Sequence, residues 1–255
     1  MAELTISLSF LAVLIASAFA LPLLFVMWIR NTERFGREPW LAILKAFAWG
    51  AVFSVIVAIV LSVILLGVFQ EIAPVYVFLS QRFEDPEAIL AILVVAPIVE
   101  EAAKALGVRA GKRHTEVVVD GLVYGAAAGL GFSATENLFY GLAALTELGA
   151  SGSLLLIAFR SFSSSLLHAS STAVTGFGLA KGWLALRRWA FLPFYLVAVL
   201  MHGTFNFLAS FGEFYATQYG EISYLIGFGA TLVFAVVAVT VVRFKLANSR
   251  RGAGG

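Results

Sequence analysis

Long apolar runs separated by short charged loops divide this chain into seven stretches that read as membrane-crossing helices. They lie at about Leu4–Ile29, Trp40–Phe69, Ala88–Leu106, Val117–Leu145, Leu154–Ala180, Ala190–Phe211 and Ile222–Val242. Each is close to or beyond the roughly 18–20 residues that a helix needs to span a bilayer. No strand-length alternation of apolar and polar positions is visible, which argues against a membrane barrel. The first run starts beside Glu3 without a preceding Lys or Arg. It therefore reads as a retained helix, although Ala18-Phe19-Ala20 has the small-x-small form of a cleavage site.

The loops alternate in charge. Arg30, Arg34 and Arg37 follow the first run, Arg109, Lys112 and Arg113 the third, Lys181, Arg187 and Arg188 the fifth, and Arg243, Lys245, Arg250 and Arg251 the seventh. The loops between them carry Glu71, Glu84, Asp85, Glu87, Glu147, Glu213 and Glu221, with Arg82 the lone cation. All basic loops thus share one side, and the positive-inside rule makes that side cytoplasmic, with the N-terminus outside and the C-terminus inside. The expectation is an all-α, polytopic helix bundle in the cell membrane. No loop is long enough to fold alone, so residues 1–255 read as one integral membrane domain, with a motif-bearing core over 88–211 and a disordered tail over 246–255. Composition agrees: 61% of residues are hydrophobic and 13% charged, outside the range of soluble globular chains. The net charge of +2 is scattered among loops, so nucleic acid is not an expected partner; without cysteine, disulfides and thiolate metal sites are excluded.

Several polar side chains interrupt the apolar runs. Glu100, Glu101 and Lys104 sit in the third. A charge at the bilayer centre costs at least roughly 2.5–3.5 kcal/mol, so such residues face the bundle interior or water and mark function by default. In the fourth, Gly121, Gly125 and Gly129 recur every four residues, a smooth face for close helix packing, and Glu136-Asn137 lie deeper. Asp120 and Glu136 are about 160° apart on an unbroken helix, which leaves Asp120 near the cytoplasmic mouth. Arg160, Ser164, His168 and Thr172 share a face of the fifth run, and His202 and Asn206 a face of the sixth. His114 lies in a basic loop and reads as solvated. His168 precedes Lys181 by 13 residues and His202 follows Arg188 by 14, so both sit roughly 20 Å from the basic side. Glu101, 8 residues before Arg109, sits at roughly 12 Å.

Two carboxylates and two buried histidines are the inventory of a divalent metal site with nitrogen and oxygen ligands, for which zinc is the natural candidate. The His-Glu-x-x-His string is absent, so ligands would come from different helices. A metal-free alternative has one glutamate activating water while His and Asn stabilise the oxyanion. No Gly-x-Ser-x-Gly elbow or second intramembrane aspartate supports serine or aspartyl chemistry.

The set Glu100-Glu101-x-x-Lys104, Asp120-Gly-x-x-Tyr124-Gly125 leading to Glu136-Asn137, His168-x-x-x-Thr172 and His202-x-x-x-Asn206 resembles the PrsW family of intramembrane proteases. That family is distantly similar to the CAAX-processing and bacteriocin-immunity membrane proteases. The resemblance covers about Pro97 to Phe207 and implies hydrolysis of a peptide bond in a membrane-anchored regulatory protein of the anti-sigma-factor type. It implies catalytic roles for Glu100, Glu101 and His202, with Asn206, His168 and Glu136 as site members. The resulting candidates are Glu100, Glu101, His202 and Asn206 for catalysis, and Glu100, Glu136, His168 and His202 for a metal. A proton- or ion-coupled transporter is the competing expectation, since buried Glu, Lys and His also mark ion paths, and a scaffold binding through the glycine faces is a third. Within the glutamate pair, Lys104 four residues after Glu100 suggests a supporting role for Glu100 and leaves Glu101 as the general base.

Overall fold

The computed structural model describes residues 7–33, 36–81, 83 and 85–249. Leu4, Arg34, Arg82, Glu84, Arg250, Arg251 and the glycine-rich end lie outside the described residues. Among those described, every regular element is a helix. Helix α1 spans Leu8–Thr32, and the Ser7 hydroxyl caps it by accepting from the Phe10 N–H. A π-helical turn at Gly50–Ser54 joins α2 (Trp40–Trp49) to α3 (Val55–Gln70), giving one rod, followed by the short α4 (Ala73–Ser80). A second rod joins α5 (Pro86–Leu90) to α6 (Ala96–Val108) through a π-helical turn at Ala91–Val95. The remaining helices are α7 (Asp120–Leu184), α8 (Leu192–Ala209), α9 (Phe211–Tyr219) and α10 (Ile222–Ala247).

Among the described residues, five segments are long and apolar enough to cross a membrane: Leu8–Thr32, Trp40–Gln70, Asp120–Leu184, Leu192–Tyr219 and Ile222–Ala247. The difference from the expected seven has two causes. The expected third run folds as the α5–α6 rod, but Glu100, Glu101 and Lys104 place three charges within it, which no uninterrupted apolar crossing carries. The expected fourth and fifth spans are the two arms of α7. Gly149, at φ 65° and ψ −174°, breaks that helix in a conformation that favours glycine, and the arms fold back on each other.

The antiparallel register follows from the glycine stripe. A Cβ at Gly121, Gly125 or Gly129 would overlap the carbonyl oxygen of Gly176, Thr172 or His168, so partners descend the second arm as the first ascends. The stripe therefore packs within the chain. On its other side the first arm meets α2, where Gly131 lies against the Phe47 carbonyl and Gly50 against that of Ala128. The Thr135 hydroxyl donates to the Ala51 carbonyl of the π turn at 2.7 Å. Every residue from 119 to 134 is buried, and α1, α2, α6, α8 and α10 pack around α7. The first arm is the axis of the bundle.

Asp120 sits at the start of that arm, where its Oδ2 accepts from the Glu116 and Val117 N–H groups at 2.7 and 2.9 Å, with Glu33 and Glu38 close by. The Tyr124 hydroxyl donates to Glu38 there. At the far end of the chain, α10 continues through Ala247 with Leu246 buried, so the tail expected from residue 246 does not include these two positions.

Close backbone approach predicts opposite signs for two similar substitutions. Gly129→Ala should destabilise the protein by roughly 1–3 kcal/mol, because its methyl meets a carbonyl of the other arm. Gly67→Ala, in open space on α3, should stabilise it by roughly 0.5–1 kcal/mol. Thermal unfolding in detergent measures both; a shift of the same sign would contradict the packing account.

Candidate active site

The site grows from a defect in the α5–α6 rod. Within the π turn the Ala96 N–H reaches back to the Ala91 carbonyl, and the following residue is Pro97, which has no N–H to give. Ile92 O is the carbonyl that this pairing skips, and the Asn206 side-chain amide donates to it at 2.8 Å. The Tyr195 hydroxyl donates to Ile98 O at 2.8 Å and the Ser54 hydroxyl to Ala103 O at 2.9 Å. Thus α8 and the π turn between α2 and α3 hold the α5–α6 rod on both sides of Glu100-Glu101.

Glu101 is completely buried. Its Oε1 takes the Lys104 ammonium at 2.8 Å, the Ser171 hydroxyl at 2.9 Å and His202 Nδ1 at 3.2 Å; its Oε2 takes the Thr172 hydroxyl at 3.0 Å. A buried charge is tolerated only when paired and hydrogen-bonded, and these four donors meet that demand. The contact with Glu101 puts the His202 proton on Nδ1 and leaves Nε2 bare, 3.7 Å from Glu100 Oε2. Lys104, also fully buried, lies 2.9 Å from His168 Nδ1 and 3.6 Å from Glu100 Oε2. An ammonium only donates, so the His168 proton belongs on Nε2, which faces Glu136 Oε2 at 3.0 Å. Arg160 Nη2 reaches the same oxygen at 2.9 Å, and its Nε reaches Asn137 Oδ1 at 3.2 Å. The guanidinium also lies over the Tyr140 ring, 3.5 Å from its centroid.

A cavity of about 400 Å³ lies against this network, lined by Glu100, Glu136, Arg160, Ser164, His168 and Asn206, and reaches Glu213 at the start of α9. Glu101 does not line it. The glutamate pair is therefore divided the other way round from the expectation set by spacing. Lys104 is closer to Glu101 than to Glu100, and Glu100 is the one on the cavity wall, its Oε2 without a hydrogen bond. Spacing failed because Lys104 lies within reach of both i−3 and i−4, and only the neighbouring helices choose between them.

The other candidates gather here. His168 and His202 stack edge to face, with centroids 4.9 Å apart. Glu100, His168 and His202 each offer one ligand atom, all within 4.8 Å of one another. Glu136 stands one step out, beyond His168. Asn206 lines the cavity but commits its amide nitrogen to Ile92. His114 is exposed, away from the site. Two hydrogen-bonding partners, Ser171 and Tyr195, carried no distinct signal in the sequence: one is among many serines on its helix and the other among apolar neighbours.

The donor set of one carboxylate oxygen and two imidazole nitrogens fits a divalent cation of the zinc type. Glu100 Oε2, buried and without a hydrogen bond, fits the same reading. Lys104 sets the condition: a neutral His168 that ligates through Nε2 carries its proton on Nδ1, so the Lys104 ammonium, which now donates to Nδ1, would have to turn away or lose a proton.

An all-helical membrane protein with a buried Glu/His/Lys centre beside a cavity is the class these features define. A family model, described as PrsW family intramembrane metalloprotease, matches residues 38–242, and the chain belongs to that family. It is similar to "Protease PrsW" of Clostridioides difficile (strain 630), with 28% identity over 197 residues, covering 74% of this chain and 76% of the relative. No solved structure matches. The protein is thus an intramembrane peptidase, a multi-pass membrane protein whose substrate is a membrane-embedded protein; the transporter expectation finds no support.

The ion pair has a measurable consequence. Lys104→Met should destabilise the protein by roughly 3–5 kcal/mol, since it leaves the Glu101 carboxylate buried without its cation. Lys104→Met combined with Glu101→Gln should recover part of that loss. Denaturation in detergent tests this, and a double variant less stable than Lys104→Met alone would contradict it.

Proposed function

We propose that the protein hydrolyses a peptide bond of a membrane-anchored regulatory protein of the anti-sigma-factor type, at a centre where Glu100, His168 and His202 hold a divalent ion, zinc by its donor set. The observation that carries this reading is the approach of these three ligand atoms to within 4.8 Å at the edge of a cavity large enough for a stretch of extended backbone. Such an ion supplies Lewis acidity and makes water a nucleophile near neutral pH.

The chain's own residues divide the remaining work. Glu101 orients His202 through Nδ1, the carboxylate–histidine arrangement that fixes ring direction and tautomer. Lys104 offsets the two adjacent carboxylates. Glu136, also on the cavity wall, takes the proton of the attacking water; Arg160 holds it in place through Oε2. Asn206 positions α6 through Ile92 O. The general-base role expected of Glu101 passes to Glu136, because Glu101 does not reach the cavity and all its near neighbours are donors already in use.

The proposed topology has seven crossings, with the two arms of α7 and the α5–α6 rod counted separately, N-terminus outside and C-terminus in the cytoplasm. The cavity then opens at the end of α8 beside Glu213, on the side of the acidic loops.

Cleavage of a co-expressed membrane-anchored substrate tests the assignment. Glu100→Gln, Glu136→Gln and His202→Ala should each abolish cleavage with expression unchanged. Glu101→Gln should retain activity reduced roughly 10–100-fold, as loss of a ligand-orienting group does. Wild-type cleavage by Glu100→Gln would remove that residue from the chemistry. Independently, chelation should abolish activity and added zinc restore it; full activity after exhaustive chelation, with no metal in the purified protein, would rule out the ion.

A further inference from the structure

The connection between α7 and α8 has a construction that the reaction does not use. Helix α7 ends with the Arg187 N–H bonded to the Gly182 carbonyl at 2.9 Å and the Leu186 N–H to that of Trp183 at 3.4 Å. This pattern places one residue in the left-handed region, where glycine is the usual occupant. Here it is Leu186, at φ 53°. Leu186 is also 93% exposed, so no protein contact compensates its strained backbone. Trp189 and Leu192 are exposed beside it. Outward-facing leucines and a tryptophan next to a basic loop are what the membrane–water interface accepts.

The same turn closes a concavity of about 580 Å³ lined by Lys181, Arg187, Arg188, Trp189 and Phe194, with no acidic residue in its wall. Lys181 lies over the Phe194 ring, 5.5 Å from its centroid. Among the described residues none of the three cations is ion-paired. By contrast, a hollow between α2 and α6 offers two cations, Lys45 and Arg109, and one beside α10 offers Lys245 alone.

We propose that this concavity binds one anionic phospholipid of the adjoining leaflet. Lys181, Arg187 and Arg188 hold the phosphodiester, and Trp189, Phe194 and Leu186 carry the glycerol and upper acyl region. Three unpaired cations above exposed apolar side chains complement a negative headgroup with hydrocarbon beneath it. Since α8 begins at Leu192 and carries His202, the bound lipid would set the depth of that helix. The proposal needs only that this turn lies at a membrane surface and is independent of the peptidase chemistry.

Native mass spectrometry of the full chain in detergent, titrated with dioleoyl-phosphatidylglycerol or dioleoyl-phosphatidylcholine, tests it. One phosphatidylglycerol should be retained in preference to phosphatidylcholine. Arg187→Gln, Arg188→Gln and Lys181→Gln should each weaken that retention, by roughly fivefold per cation removed. Lys45→Gln with Arg109→Gln should leave it unchanged. Leu186→Gly should raise thermal stability in detergent yet weaken lipid retention, a combination that misfolding does not produce. Equal retention of the two lipids, or equal weakening by both sets of substitutions, would overturn the proposal. So would displacement of the lipid by millimolar inorganic phosphate, which would indicate a simple anion site.

Discussion

The fully buried pairing of Lys104 with Glu101 is the interaction on which the centre of this protein depends. Removing two charges from water is costly, and their mutual attraction offsets that cost only when every remaining lone pair and proton is also satisfied. Here the remaining partners come from different helices: Ser171, Thr172 and His168 from the second arm of α7, and His202 from α8. A shift of any of these helices by one residue would strand a charge in a low-dielectric interior. The pair therefore acts less as a source of stability than as a device that permits a single register.

That register needs backbones closer than ordinary side chains allow. Gly129 lies against the carbonyl of His168 itself, so the glycine stripe and the catalytic candidates are parts of one design. The absence of side chains on one arm brings the other near enough for His168 to meet Lys104 and Glu136. The π turn before Pro97 works in the same direction. It frees a carbonyl, and Asn206 uses it to join α8 to the helix that carries both glutamates. Packing defects of this kind cost local hydrogen bonds and are kept where neighbouring side chains replace them.

The two adjacent glutamates show how location divides chemistry between like groups. About 100° of helical rotation separates them, enough to turn Glu100 to the cavity wall and Glu101 into the protein. One is surrounded by donors; the other keeps an oxygen free of hydrogen bonds near the imidazoles.

Much of this is legible in the amino-acid sequence. Apolar run lengths set the helices, because a bilayer admits few other structures. Buried charges stood out because their cost demands a partner. The four-residue spacings of Arg160, Ser164, His168 and Thr172, and of His202 and Asn206, identified faces that do meet at one centre. Periodicity, however, gives a direction only relative to a helix's own axis. It required Glu100 and Glu101 to point differently but could not say which faced the cavity. It left Lys104 equally able to reach either, and it placed the break between the fourth and fifth runs without showing that Gly149 makes the turn. Those choices belong to the packing of neighbouring helices, since which side of a helix is inside depends on what else arrives there.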